Sequence, residues 1–111
     1  MGRGLSKLQH YIVAIAAAAP DLLYIGEILA GFFGWEPIHP IRDESRKRVG
    51  FYCFSRKSIG EKRYAKTMAT VSRTCRRLEA LGLVERQQGL AWSGVRITPK
   101  GRECLMVKHA Q

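Results

Sequence analysis

The chain has 111 residues, near the usual size of a single domain, and its 46% hydrophobic content is enough to fill one modest core. Nineteen lysines and arginines against nine acids leave a formal charge of +10, which calls for an anionic partner, nucleic acid ahead of an anionic membrane. The three cysteines, Cys53, Cys75 and Cys104, are odd in number, far apart and without CxxC or Cys/His spacing, which excludes a disulfide framework and points to reduced thiols in a cytosol.

The first predicted helix spans residues 6–19. Leu5, Leu8, Ile12, Ile15, Ala16 and Ala19 recur at helical spacing, and Ser6 with Gln9 forms a capping-box start. Pro20 ends the helix by biasing Ala19 away from the helical region, and Asp21 is placed to cap the next segment. Residues 22–33 carry Ile25, Ile28, Leu29 and Phe32 on one face as a second helix, although residues 22–25 also read as a short strand before a helix opening near Gly26. Pro20, Asp21 and Glu27 interrupt the apolar stretch 11–35 well short of the ~20 clean residues of a membrane span. No signal-peptide cleavage pattern follows the alanine run 16–19, so a cytoplasmic, nucleoid-associated protein is expected.

Residues 36–60 form a charged insert, expected as a loop, whose apolar, aromatic part 49–54 suits an ordered loop or short hairpin. The charge is concentrated here and beyond. Residues 42–77 hold twelve basic residues against Asp43, Glu44 and Glu61, which is +9 of the +10. A concentrated charge of this kind makes the local field that draws in a phosphate backbone, whereas a solubility charge is spread.

Tyr64, Met68, Val71, Cys75, Leu78 and Leu81, spaced by four, three, four, three and three, define a helix over 62–81 that Gly82 stops. Residues 83–88 and 95–97 then read as two antiparallel strands of one hairpin with a turn at 89–94. Thr98, with Pro99 at the first helical position, launches a last helix over 99–109 that carries Leu105 and Met106 toward the core. The expected fold class is mostly α with a small β-hairpin, in one domain.

The functional constellation lies on the long helix. At about 100° per residue, the face opposite Val71, Cys75 and Leu78 carries Lys62, Lys66, Ala69, Arg73, Arg76 and Arg77. A Lys and Arg face is most often only a solvated surface. This one is followed by glycine, a hairpin and a short helix, the order of a helix-turn-helix recognition element and its wing. Ala69 and the hydroxyls of Thr67, Thr70 and Ser72 permit close approach, while the arginines can reach phosphates or guanine edges.

Val71-Ser72-Arg73, Arg77-Leu78-Glu79, Leu81-Gly82-Leu83-Val84-Glu85-Arg86 and Ile97-Thr98-Pro99-Lys100-Gly101 together resemble MarR-type winged-helix transcription regulators over roughly residues 67–104. The resemblance implies a winged helix-turn-helix fold, double-stranded DNA as partner, Thr70, Ser72, Arg73 and Arg76 on the recognition helix, and Arg86 and Arg96 flanking the wing. It also implies operator binding and transcription regulation. The insert 36–60 departs from the pattern, which has a tight turn there. The elements leave no length for the long flanking helices by which many such regulators dimerise, so homodimer, monomer and heteromeric half stay open, as does any small-molecule effector.

The wing tip 89–94 lacks a basic residue, and Trp92 there can either wedge into a groove or pack back on the domain. Arg46, Lys47, Arg48, Arg56 and Lys57 suit backbone contacts, against the alternative of a solvated loop paired internally with Asp43 and Glu44. His10, His39 and His109 share no ligand spacing, and no nucleophile-base motif or phosphate-cradling loop occurs, so no metal, no cofactor and no enzymatic activity are expected. Two other readings compete with duplex DNA binding: a module for structured RNA or the ribosome, and a protein-interaction domain with Trp92 and the aromatic cluster 51–54 as an apolar patch.

Overall fold

The computed structural model describes residues 5–19, 21–38, 54–89 and 93–110. Its elements are α1 (Lys7–Ala18), β1 (Leu23–Tyr24), α2 (Ile25–Gly31), α3 (Arg56–Ile59), α4 (Glu61–Ala80), β2 (Val84–Gln88), β3 (Ser93–Ile97) and α5 (Pro99–Ala110). The three strands form one antiparallel sheet in the order β1-β3-β2, so the described residues are mostly helical with a small sheet.

α1 opens on the capping box expected from the sequence. The Gln9 N–H donates to Ser6 Oγ at 3.1 Å, and the Ser6 N–H donates to Gln9 Oε1 at 2.8 Å. Ala19, the residue before Pro20, is extended at ψ 143° and ends the helix. Where the sequence leaves strand and helix open over residues 22–25, the structure has both: Leu23 and Tyr24 pair with Val95 and Gly94, and the helix opens only at Ile25. A helix beginning at Leu22 is therefore corrected, because Leu22 and Leu23 are both buried, which the adjoining sheet satisfies. Asp21 caps nothing. Glu27 Oε1 instead accepts from the Tyr24 N–H at 2.9 Å, and Asp21 faces Arg96.

The expectation of a loop throughout residues 36–60 is also corrected at its end, where Ser55 Oγ accepts from the Ser58 N–H at 3.1 Å and starts the one-turn α3. Gly60, at φ 99°, is the single residue joining α3 to α4. At the other end of α4 the Leu83 N–H donates to the Leu78 carbonyl at 3.0 Å and the Gly82 N–H to the Glu79 carbonyl at 2.9 Å, the two bonds of a Schellman stop. Gly82 takes the left-handed φ of 79° that this stop needs.

The Thr98-Pro99-Lys100-Gly101 sequence has a distinct reason at each of three positions. Thr98 Oγ1 accepts from the Gly101 N–H at 3.0 Å as the cap of α5 and donates to the Gly82 carbonyl at 2.7 Å, tying the end of α4 to the start of α5. Pro99 takes the first helical position, where no N–H is needed. Gly101 is buried, and a Cβ there would collide with the Leu83 carbonyl and with Ile97 Cδ1.

The core gathers Ile12 and Val13 from α1, Leu23 from β1, Ile28 from α2, Val71 and Leu78 from α4, and Val84 and Val95 from the hairpin, all nearly inaccessible. Trp35 and Phe54 extend it on the far side, with ring centroids 5.5 Å apart, and Trp35 stacks on Tyr64 at 5.3 Å. Phe54 is therefore core and not part of an exposed patch. Leu105 packs against the core as expected, whereas Met106 is 69% exposed and does not.

Candidate nucleic-acid interface

The surface helix face is set by what the core takes. Val71, Cys75 and Leu78 are buried, and Lys62, Lys66, Ala69, Arg73, Arg76 and Arg77 on the opposite side are all exposed. From Lys62 to Arg77 the stripe runs about 22 Å along the helix axis. Among the described residues none of its cations forms an ion pair. Arg63, which the sequence reading left out of the candidate set, is also exposed and widens the face; its position on the helical wheel is the signal that could have found it.

The hydroxyls divide. Ser72 is exposed, on the flank nearer the hairpin. Thr70 is half-buried: its Oγ1 donates to the Lys66 carbonyl at 2.9 Å and accepts from Arg73 Nη2 at 3.5 Å, which steadies the arginine over the helix surface. Thr67 is half-buried and lies toward the core side of the stripe. On α3, Lys57 is exposed, and the Arg56 guanidinium sits 4.8 Å from the centre of the Tyr64 ring.

Arg86 and Arg96 do not share this face. Arg86 stands in register with Val95, so Arg96, one residue further on, lies on the opposite side of the sheet. Its Nη2 is 3.5 Å from Asp21 Oδ1, in a pair largely open to water. Arg86 is on the α4 side and is held by Glu79. Its backbone N–H donates to Glu79 Oε2 at 3.0 Å and its Nε donates to Oε1 at 2.8 Å. These bonds, the backbone one first, hold the Glu79 carboxyl below the usual glutamate value. Arg46, Lys47, Arg48 and Trp92 lie outside the described residues, as do Cys53 and His39.

Burial pushes the Cys75 thiol up to about 11 against a smaller opposing pull from Arg86, so it is protonated and unreactive at neutral pH. Among the described residues no three His, Cys, Asp or Glu side chains gather as metal ligands, and no helix is long and apolar enough to cross a membrane. What the face offers is an array of cations, none in an ion pair among the described residues, along one 20-residue helix, whose chemistry is hydrogen bonding and charge neutralisation. Comparison with protein-family models, curated proteins and solved structures gave no match.

Proposed function

We propose that the chain is a winged-helix DNA-binding protein that lays α4 in the major groove of a duplex and uses the β2–β3 hairpin as its wing. The observation that carries this reading is the unpaired basic stripe of α4, set on an α-helix, whose diameter of ~10–12 Å fits a groove about 12 Å across. The element order supports it: a helix, a short strand and a helix precede α3 and α4, and a hairpin whose second strand pairs with that first strand follows. α3, the single residue Gly60 and α4 follow one another where the resemblance implies a tight turn before the recognition helix.

In this reading Arg73 and Arg76 reach base edges, Ala69 permits the close approach, and Lys62, Lys66, Arg77 and the added Arg63 meet phosphates. Lys57 extends the backbone contact from α3. Arg96 drops out, and Arg86 contributes only after leaving Glu79. A role in transcription regulation, close to the nucleoid, rests on the resemblance to MarR-type regulators.

The test is a titration of the full chain with mixed-sequence duplex across a range of salt, beside an Arg73→Ala, Arg76→Ala double variant and a structured RNA at matched salt. Affinity for duplex that falls steeply with salt, and falls further in the double variant, is expected. Salt-indifferent binding, or preference for the RNA, overturns it.

A further inference from the structure

On α4 the hydroxyl of Thr70 has only one way to act outward. Its hydrogen is committed to the Lys66 carbonyl at 2.9 Å, the back-bond that a helical threonine makes to the residue four before it. Only lone pairs are left, so toward its other neighbours it accepts and does not donate. The side chain that meets them is Arg73, whose Nη2 donates at 3.5 Å, a long bond while both groups stand in water.

The two arginines of the proposed base contact are therefore not equivalent. At about 100° per residue, Thr70 lies about 60° to one side of Arg73 and Arg76 about 60° to the other, with the small Ala69 between the arginines. Among the described residues Arg76 has no hydroxyl or carboxylate partner of this kind. A guanidinium has two edges that present paired N–H donors, and Thr70 takes one hydrogen of one edge, which leaves the other edge whole. In the major groove guanine offers two neighbouring acceptors, O6 and N7, whereas adenine sets a donor beside its N7. An arginine held from the side does not swing to a phosphate when the base is wrong, so a wrong base leaves its donors unpaired. A free arginine does swing, and adds charge to every sequence alike.

We infer that Thr70 is a specificity-determining residue, whose hydroxyl holds the Arg73 guanidinium for paired donation to one guanine, while Arg76 contributes mainly affinity. The inference rests on the duplex binding proposed above and divides between the two arginines what that reading gives to both.

A randomised duplex library selected with the full chain yields the preferred site. Affinities are then measured on that site and on a copy in which the guanine that Arg73→Ala ceases to select is replaced by adenine. Thr70→Val, which keeps the shape and removes the hydroxyl, should cut the ratio of the two affinities about three- to tenfold with the salt dependence unchanged. Thr70→Ser should keep the native ratio. Should Thr70→Val fold poorly, Thr70→Ala, with its higher helix propensity, gives the same readout. Thr74→Val is the control, since it removes an equivalent back-bond, 2.7 Å to the Thr70 carbonyl, and leaves the Thr70 hydroxyl in place; the ratio should not move. A ratio unmoved when the Thr70 hydroxyl is removed, or moved as far by Thr74→Val, overturns the positioning and leaves duplex binding standing. A selected site at which Arg73→Ala relaxes no guanine overturns it as well. A native chain that binds no duplex overturns the proposed function, and this inference with it.

Discussion

Glu79 decides what Arg86 is free to do. Its carboxylate accepts two hydrogen bonds from that one residue, and its pKa is lowered for that reason. A carboxyl whose folded pKa is depressed contributes stability above its unfolded pKa and loses that contribution as pH falls through the folded one. The loss therefore begins near the ordinary glutamate value and finishes below it. Thermal melts from neutral pH downward should show this acid limb in the native chain and a flatter one in Glu79→Gln; parallel limbs would remove Glu79 from the linkage. If the proposed duplex binding holds, the same variant frees Arg86 for phosphate, and the dependence of log affinity for duplex on log salt should steepen by about one unit. The resemblance to MarR-type regulators brings Arg86 and Arg96 forward together, and nothing local separates them. The register of β2 on β3 does, because adjacent strand residues point to opposite faces.

At the scale of elements, the ends are well written in the sequence because they are local chemistry. Ser6 with Gln9, Ala19 before Pro20, Gly82 after α4 and Thr98 before Pro99 each act within a few residues of themselves. Thr98 does more than its sequence role of cap, since its hydroxyl also holds the Gly82 carbonyl sixteen residues back. Thr98→Val keeps the shape and leaves the Gly101 N–H and the Gly82 carbonyl each without this partner. A loss of about 1–3 kcal/mol in urea unfolding is expected, and a loss under half of that would mean water replaces the bonds. The second helix is where local reading divides. Apolar residues at 22–25 fit either period, and only β3, seventy residues away in the chain, selects the strand. α3 escapes a pattern reading for another reason: a single turn carries too few positions to show a period.

For the whole molecule, a charge of +10 on 111 residues is self-repulsive, and the unpaired stripe of α4 concentrates part of it. A polyanion that binds only the folded state relieves the repulsion and adds stability by mass action, about 2.7 kcal/mol at a free concentration one hundred times Kd. Melting at low salt with and without duplex should show a rise in Tm that disappears at high salt and shrinks in the Arg73→Ala, Arg76→Ala double variant. A rise that survives high salt would place the binding energy elsewhere than in charge. The aromatic group of Trp35, Phe54 and Tyr64 joins the residue before the insert and a residue near the insert's end to the first half of α4.

The sequence by itself determined the amphipathic period of α4, its basic outer face, the caps and stops of the helices and the presence of a hairpin. All of these depend on residue type and spacing over fewer than about twenty positions, the range over which helix and strand periods and turn chemistry act. Tertiary structure alone decided that Leu23 and Tyr24 join the hairpin as a third strand, that Arg86 is bonded to Glu79 while Arg96 turns to Asp21, and that Phe54 is core and Met106 surface. Each of these is set by which distant segment lies opposite, and pairing across the chain leaves no mark in the local pattern.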